Sequence, residues 1–492
     1  MLFNTLEFIL LFLPIAFVGY FLLNRWRWPK AGKTWLSLAS LFFYGWWNVA
    51  YLPLLLASIG FNYGIGRAVS VQRAHRPHAL SRRSVLIFGI TANVLLLGYF
   101  KYAHFLVENL NLALATGITL APIVLPLGIS FFTFTQIAYL VDSYRSEARE
   151  YSFVNYVLFV TFFPHLIAGP ILHHREMMPQ FESVRGLVVR YRHVFLGLFI
   201  FSLGLFKKVV LADTFAIWAT RGFDEPTALG FYDAWGTLLS YTFQLYFDFS
   251  GYCDMAMGAA LLFNIWMPLN FNSPYKSLDI QDFWRRWHIT LGRYLRDYVY
   301  IPLGGNRSST PALYTNLMLT FLIGGIWHGA SWMFVIWGAL HGAALVLHRA
   351  WTRLGGRMPK ALAWGVTFLF INLTWVFFRA KTMDDALRVL RGLVDLPSAG
   401  FIALADVPTR GLAWAGWLVD EMAGWLPGGL IANLPCFLML ALGFAVIAQK
   451  NAVELMQGPR ETLKLAVAVP VFVVAMYFML TSTSSVFLYF NF

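Results

Sequence analysis

Residues 3–23 read FNTLEFILLFLPIAFVGYFLL, and this stretch decides the class of fold. A helix needs about 20 mostly apolar residues to cross a lipid bilayer. The stretch satisfies that requirement and carries a single charged residue, Glu7. It lacks the basic segment that opens a cleaved signal peptide and stays apolar for too long to be one. It therefore predicts a first membrane helix that the protein retains.

The composition extends this prediction to all 492 residues. Hydrophobic residues make up 59% of the chain and charged residues 12%, whereas soluble domains average roughly 45–50% and about 25%. Aromatic residues reach 18%, with 46 Phe and 19 Trp. A water-soluble core could not bury this much apolar surface. The sequence predicts an all-α polytopic membrane protein embedded in a lipid bilayer.

The charge balance and the cysteines exclude other classes. The chain carries 37 Lys and Arg against 24 Asp and Glu, a net charge of +13. Because no basic stretch lies in a segment able to fold in water, cationic cytoplasmic loops explain the excess, and no nucleic-acid partner is expected. Cys253 and Cys436 both lie in apolar stretches, so they predict neither a disulfide framework nor a metal site. No bound metal or cofactor is expected.

The candidate membrane spans number more than the expected crossings because several are short. We expect about 11 to 13 crossings, with the remaining helices re-entrant or buried in the bundle, in one membrane-embedded domain over residues 1–492. The candidate spans are 3–23, 34–48, 51–66, 84–103, 121–141, 152–170, 194–219, 231–247, 252–267, 312–329, 331–348, 361–379, 434–448 and 463–480.

Basic loops predict the orientation of the chain. If the loops are cytoplasmic, residues 34–66 must cross the membrane outward and then return to the cytoplasmic side. The N-terminus then lies outside. These loops are 24–33, 67–83, 171–193 and 276–307. Residues 380–432 form a mixed peripheral segment with a short amphipathic helix near 383–394 and a Trp-rich stretch at Trp414, Trp417 and Trp425.

The block at residues 276–307 reads KSLDIQDFWRRWHITLGRYLRDYVYIPLGGNR and holds an amphipathic pattern. At roughly 100° per residue, a helix over 282–298 has an apolar face and an opposite, charged face. The apolar face holds Trp287, Tyr298, Leu291, Trp284, Leu295 and His288, and the charged face holds Arg285, Arg296, Asp282, Arg293, Arg286 and Asp297. The pattern is typical of a helix lying in the membrane interface.

Two interpretations of this block remain open. It is an interfacial anchor, or its arginines (Arg285, Arg286 and Arg293) and Trp287 receive an anionic, phosphate-bearing donor at the cytoplasmic face. Arginine suits the second role because its planar guanidinium group pairs two phosphate oxygens at once. His288 would then lie where the reactive end of the donor enters the membrane.

A second histidine lies inside an apolar span, in Gly324-Gly325-Ile326-Trp327-His328-Gly329-Ala330. An ionisable residue at membrane depth needs a partner and is a functional candidate, and imidazole can act as a general base near neutral pH. A helix-packing histidine bonded to a backbone carbonyl is the alternative. His341 lies thirteen residues on and is interpreted as a structural hydrogen-bonding residue.

Asp248 and Asp254 lie in the apolar stretch QLYFDFSGYCD at 244–254. Burying two carboxylates in such a stretch costs free energy unless each is paired with a cation or in contact with water. We expect them to orient a histidine or to pair with the arginines of residues 285–296, and so to help position the donor. A catalytic carboxylate is the alternative, and a metal site is not predicted.

In these blocks the chain resembles the membrane-bound O-acyltransferase family, and within it the membrane proteins of bacterial alginate O-acetylation. The resemblance rests on strings spread over almost the whole chain: QLYFDFSGYCDMAMG at 244–258, FWRRWHITLGRYLRDYVYIPLGGNR at 283–307, GGIWHGASWMFVIWGALHG at 324–342, FFPHLIAGPI at 162–171, WVFFRA at 375–380 and the C-terminal FLYFNF. One departure is Cys253, where the family often has serine.

The resemblance implies a helical bundle around a funnel or tunnel in the bacterial inner membrane. His328 matches the family's catalytic histidine, and His288 matches its second histidine. The implied donor is acetyl-coenzyme A, and the implied partners are a periplasmic acetyltransferase and a polysaccharide acceptor, with alginate expected first. In this arrangement Trp327 and its aromatic neighbours exclude water from the thioester.

Three alternatives stay open from the sequence. The acceptor can be cellulose or peptidoglycan, or the chain can transfer D-alanine or a fatty acyl group to another acceptor. The third alternative is a transporter of glycans or acyl groups without chemistry of its own. Against transport stand the absence of a recognisable internal repeat and the clustering of ionisable residues in the interfacial helix and histidine motifs.

Overall fold

The computed structural model describes residues 1–70, 81–147, 152–307, 309–395, 433–458, 461–482 and 487–488. Within these ranges the chain is helical and has no β-strand. Trp414, Trp417 and Trp425 and most of the predicted peripheral segment 380–432 lie outside the described residues. The amphipathic helix predicted near 383–394 is present as Met383–Gly392.

The first half of the chain contributes short and long helices before the central one. They are α1 (Leu13–Arg25), α2 (Pro29–Gly45), α3 (Leu52–Ser70), α4 (Arg82–Leu97), α5 (Ala103–Leu114), α6 (Ile129–Tyr144), α7 (Phe153–Thr161), α8 (Phe163–Leu166), α9 (His174–Glu182), α10 (Tyr191–Phe206) and α11 (Asp213–Asp224). A wider π-helical turn at Glu7–Phe12 precedes α1, and two more, Gly98–Tyr102 and Lys207–Ala212, join α4 to α5 and α10 to α11.

The second half begins with the longest of these helices. It comprises α12 (Phe231–Leu262), α13 (Ile280–Arg286), α14 (Ile289–Leu295), α15 (Thr310–His328), α16 (Trp332–Arg353), α17 (Lys360–Arg379), α18 (Met383–Gly392), α19 (Leu434–Ala448), α20 (Ala452–Gln457) and α21 (Glu461–Thr481). A π-helical turn at Arg296–Tyr300 extends α14. Over both halves, 3₁₀ turns lie at Val49–Tyr51, Val184–Leu187, Pro274–Lys276 and Gly305–Arg307.

Seven helical stretches among the described residues are long and apolar enough to cross a membrane. They are Glu7–Arg25, Val49–Ser70, Arg82–Leu114, Tyr191–Asp224, Trp332–Arg353, Lys360–Arg379 and Glu461–Thr481. They confirm the all-α polytopic membrane fold. The predicted total of about 11 to 13 crossings and the tunnel remain predictions.

Several predicted boundaries are wrong for identifiable reasons. The spans 231–247 and 252–267 form one helix, α12, because Gly251 between them lies at a close helix contact instead of a chain break. The span 121–141 is helical only from Ile129, because Pro122 and Pro126 lack the backbone N–H that a helix needs. Helix α12 is buried along most of its length and forms the centre of the fold.

The backbones of helices α10 and α12 are in direct contact at two pairs of glycines. A Cβ on Gly204 would lie 2.6 Å from the carbonyl oxygen of Gly251, and a Cβ on Gly258 would lie 2.6 Å from that of Gly197. Small residues at a crossing allow helix backbones to pack directly against each other in membranes. These pairs therefore fix the position of the basic π-turn Lys207–Ala212 beside α12.

We expect Gly204→Ala to lower the free energy of unfolding by about 1–3 kcal/mol, the usual cost of overpacking. The added Cβ would meet backbone atoms, the Gly251 oxygen at 2.6 Å and the Met255 nitrogen at 2.7 Å, which cannot rotate away. Gly64→Ala is the matched control, since a Cβ there has no described atom within 4 Å and alanine favours a helix. Denaturant unfolding in detergent compares the two variants, and equal stabilities would contradict the close-contact argument.

Candidate active site

His328 is the last residue of α15, where the chain turns into α16. Gly329 leaves the helix in an extended conformation, and the ring of Phe334 occupies the place where a Cβ on Gly329 would lie. One turn earlier, Gly325 packs on Gly338 of α16, so that a Cβ on Gly325 would lie 3.1 Å from the Gly338 Cα. The glycines beside His328 therefore allow α15 and α16 to pack closely at the histidine.

The ring of His328 is enclosed by aromatic side chains. Its centroid lies 5.0 Å from Trp327, 5.2 Å from Trp337 and 5.0 Å from Phe378, and the residue is only 3% exposed. Trp337 lies on α16 and Phe378 on α17. The cage therefore shields the imidazole ring from solvent.

His288 lies between α13 and α14 and is fully buried. Its backbone is in the left-handed region (φ 43°), which is uncommon for a residue with a side chain and is often found at functional sites. The prediction of one interfacial helix over 282–298 is therefore wrong: the helix stops at Arg286 and restarts at Ile289. Helical periodicity cannot reveal this break, because each half keeps its own apolar face.

Asn270 determines the proton position on His288. The Thr290 N–H donates to Asn270 Oδ1 at 3.2 Å, which requires the amide oxygen on that side because the amide nitrogen cannot accept. His288 Nδ1 lies 3.1 Å from the same oxygen. In the neutral ring Nδ1 therefore carries the proton and Nε2 is the unprotonated nitrogen.

Trp327 is a neighbour of both histidines. Its ring centroid is 6.2 Å from His288 and 5.0 Å from His328. A column of packed aromatic rings leads to it from the block at 276–307. Tyr298 lies 4.8 Å from Tyr294 in a tilted arrangement, and stacked pairs follow, Tyr294 4.1 Å from Phe134 and Phe134 5.1 Å from Trp327. The structure thus brings both predicted catalytic histidines and Trp327 into one aromatic cluster.

The far end of this column is anchored by a polar cluster. Tyr298 donates a hydrogen bond to Asp142 Oδ1 at 2.6 Å, and His173 Nδ1 lies 3.2 Å from Asp142 Oδ2. Burial raises the pKa of the Asp142 carboxyl, but the hydrogen bonds from His173 and Tyr298 outweigh burial, so this pKa lies below its ordinary value. The cluster keeps Asp142 ionised and joins α6 to the block.

Lys101 and Tyr102, from the π-turn between α4 and α5, bind the end of α15. Lys101 Nζ donates to the carbonyl oxygens of Trp327 at 2.6 Å and His328 at 3.1 Å, and the Tyr102 hydroxyl donates to that of Ile326 at 2.7 Å. The sequence interpretation missed both residues. A signal was present, since Lys101 is a lone charge near the end of the predicted span 84–103.

The predicted donor-binding arginines differ in their surroundings. Arg285 is exposed. Arg286 pairs with Asp282 at 2.9 Å, and Arg293 pairs with Glu176 through two bonds of 2.7 and 2.9 Å. Two of the three guanidinium groups are therefore engaged within the chain.

Trp287 does not face lipid, as the interfacial-helix prediction required. It is 1% exposed, and its ring packs 5.0 Å from Trp375 and 5.0 Å from Phe271. The apolar face of the block is covered by protein because α13 and α14 dock on the bundle. A helix pattern alone does not distinguish a lipid surface from a protein one.

Asp248 and Asp254 are paired, but their partners are not the predicted ones. Asp248 Oδ1 lies 2.7 Å from Lys208 Nζ, and Asp254 Oδ2 lies 2.6 Å from Lys207 Nζ. The expectation that they orient a histidine or bind the arginines of 285–296 is wrong. The lysines come from the π-turn that the glycine pairs bring against α12, a contact that spacing along the chain does not reveal.

His341 has the structural role that the sequence predicts. Its Nδ1 accepts a hydrogen bond from Trp284 Nε1 at 3.2 Å, and its Nε2 lies 3.0 Å from Thr374 Oγ1. In the described part of the chain, no three His, Cys, Asp or Glu side chains come together as a metal site would require.

Comparison with known proteins agrees with this geometry. The model of the MBOAT, membrane-bound O-acyltransferase family matches residues 85–383. The chain is 49% identical to a peptidoglycan O-acetyltransferase of Helicobacter pylori, over 100% of this chain and 98% of the relative. It is 42% identical to a probable alginate O-acetylase AlgI of Pseudomonas aeruginosa, over 80% and 75% of the two chains. A teichoic acid D-alanyltransferase of Streptococcus thermophilus is 29% identical over 52% of this chain and 69% of its own.

Proposed function

The chain belongs to the membrane-bound O-acyltransferase family, and from that premise we propose that it moves an acetyl group from cytoplasmic acetyl-coenzyme A to a hydroxyl of a cell-wall glycan. It is a membrane O-acetyltransferase. The observation that carries the proposal is the buried aromatic cluster in which Trp327 neighbours both His328 and His288.

In the proposed reaction His328 is the general base. It takes the proton of the acceptor hydroxyl while the hydroxyl oxygen attacks the thioester carbonyl carbon. The tetrahedral intermediate then expels the coenzyme A thiolate, which receives the proton, and an oxygen–carbon bond replaces the carbon–sulfur bond. General-base assistance contributes roughly 10²–10⁴ in rate, and the cage of Trp327, Trp337 and Phe378 limits hydrolysis.

His288 acts as a hydrogen-bond acceptor in this proposal. Because Asn270 holds the proton on Nδ1, Nε2 of the neutral ring can accept a hydrogen bond but cannot donate one to an oxyanion. The sequence leaves two roles open for His288, positioning the donor or stabilising the developing oxyanion, and this proton position favours positioning a reactant. We assign His288 to holding the reacting hydroxyl or the donor beside Trp327.

Peptidoglycan is the acceptor that we propose, in place of the alginate expected from the sequence. The support is the 49% identity to a peptidoglycan O-acetyltransferase over nearly the whole of both chains. The alginate O-acetylase relative is less similar and matches a smaller share of each chain. Alginate remains the second candidate, and the shorter D-alanyltransferase match makes D-alanyl transfer a third.

The proposal places the chain in the inner membrane with its N-terminus outside. Acetyl-coenzyme A is anionic and stays in the cytoplasm, whereas the glycan lies outside, so a tunnel must let the two meet at His328. Exposed Arg285 is available to the phosphates of the donor at the cytoplasmic mouth. A periplasmic acetyltransferase is the proposed partner that completes delivery to the glycan.

The experiment uses the purified full chain in lipid nanodiscs with acetyl-coenzyme A labelled on the acetyl group. Peptidoglycan fragments, alginate oligosaccharides or no acceptor are added, each with and without a periplasmic extract. We expect release of free coenzyme A and transfer of label to peptidoglycan fragments, with empty nanodiscs as the control.

Other outcomes identify the alternatives. Label on alginate alone would overturn the peptidoglycan assignment and keep the acetyltransferase chemistry. Consumption of a D-alanyl thioester instead of acetyl-coenzyme A would overturn the donor. Accumulation of label inside sealed vesicles without covalent transfer would favour transport.

A further inference from the structure

The end of α15 is bound by three side-chain contacts from two consecutive residues. Lys101 reaches the carbonyl oxygens of Trp327 and His328, and Tyr102 reaches that of Ile326. The last carbonyl groups of a helix have no partner within the helix, and a cation there also interacts favourably with the helix dipole. We propose that Lys101 is a positioning residue that fixes His328 for acyl transfer. The inference rests on the proposed function of His328.

The ammonium group of Lys101 has three protons, and three acceptors surround it. They are the oxygens of Trp327 at 2.6 Å, His328 at 3.1 Å and Ser130 Oγ at 3.4 Å. A lysine ammonium has three donors and no acceptor capacity. Each of the three donors of Lys101 therefore has an acceptor within the chain, which favours a positioning role.

The contacts connect parts of the chain that are far apart in sequence. Ser130 lies in the first turn of α6, while Lys101 lies in the π-turn Gly98–Tyr102. The ammonium group also lies 5.8 Å from the centre of the Trp327 ring, within the range of a cation–π interaction. π-Helical turns occur often at functional sites. Here the turn directs two adjacent side chains at three successive carbonyl groups.

Fixing the carbonyl groups of Trp327 and His328 fixes the backbone from which both rings project. Catalysis by a base requires the reacting atoms in line, and a displacement of about 1 Å can cost on the order of 10²-fold in rate. Without Lys101 the end of α15 keeps its sequence and aromatic neighbours but loses two of its three contacts. The loss should therefore appear in turnover and not in donor affinity.

The experiment measures kcat and KM for acetyl-coenzyme A in nanodiscs for Lys101→Met, Lys101→Arg and Tyr102→Phe. We expect Lys101→Met to lower kcat by about 10–10²-fold with KM changed by less than about 2-fold. Lys101→Arg should recover part of the loss because it restores a donor cation. Tyr102→Phe removes one contact only and should lower kcat by about 2–5-fold, which provides a test should Lys101→Met fail to fold.

Lys33→Met is the matched control. Lys33 donates to Asn155 Oδ1 at 3.2 Å, a contact between other helices, and its variant should keep the wild-type kcat. The double variant Lys101→Met/His328→Ala should be no slower than His328→Ala alone, because a positioning residue acts through the base that it positions.

Two results would overturn the inference. A wild-type kcat in folded Lys101→Met, or a further loss in the double variant, would contradict positioning of His328 while leaving the acetyltransferase proposal intact. Absence of acetyl-coenzyme A consumption in both the wild type and Lys33→Met would instead overturn the proposed function, and this inference with it.

Discussion

His328→Ala should reduce acetyl transfer by about 10²–10⁴-fold while the protein still inserts and folds. The substitution removes the imidazole that we propose takes the hydroxyl proton, and it leaves the aromatic cage of Trp327, Trp337 and Phe378 around a small gap. Release of free coenzyme A and labelling of the glycan in nanodiscs both report this loss. His328→Gln keeps more of the side-chain volume but has no basic nitrogen. It should therefore be almost as slow as His328→Ala.

His348→Ala is the control for the loss of a histidine. His348 lies further along α16, is partly exposed, and lies 3.6 Å from Asp279. Because its described partner is Asp279 and not a residue of the cage, its variant should keep wild-type turnover. Normal glycan acetylation by folded His328→Ala would contradict the assignment of the base and make His288 the next candidate for that role.

The sequence predicted the two histidines and Trp327 but not what holds them. His328 and His288 lie in specific motifs, so their types and spacing were informative without coordinates. Asn270 and Lys101 act from 18 and 227 residues away from their respective histidines. An asparagine and a lone lysine carry no motif, and only the packing of helices brings them to the site.

The fold was predictable where apolar length alone sets the outcome. The span predicted at 434–448 has those bounds, and 463–480 falls within Glu461–Thr481. Prediction failed where tertiary contact overrides the local pattern. The predicted spans 231–247 and 252–267 left out residues 248–251, but Gly251 is a close contact with α10 inside the continuous helix α12. His288 looked like part of a helix but bends the chain to meet Asn270.

The second large effect concerns the buried charges beside α12. Lys208 Nζ lies 2.8 Å from Asp213 Oδ1 and 2.7 Å from Asp248 Oδ1, and Lys208 and Asp248 side chains are each 2% exposed. We expect Lys208→Met to lower the free energy of unfolding by about 3–5 kcal/mol, since it leaves two carboxylates buried without their cation. Denaturant unfolding in detergent measures the change.

Lys381→Met separates this effect from the loss of any lysine. Lys381 lies 3.0 Å from Asp224 Oδ1, but its side chain is 71% exposed, so water replaces the ion pair and the loss should stay below about 1 kcal/mol. Adding Asp248→Asn to Lys208→Met should recover stability, because it removes one of the two uncompensated charges. Equal stabilities for Lys208→Met and Lys381→Met would contradict a buried network.

The same network anchors residues 487–488 on α12, because Asp248 Oδ2 also accepts a hydrogen bond from the backbone N–H of Leu488 at 2.9 Å. Lys208→Met should therefore weaken that attachment as well.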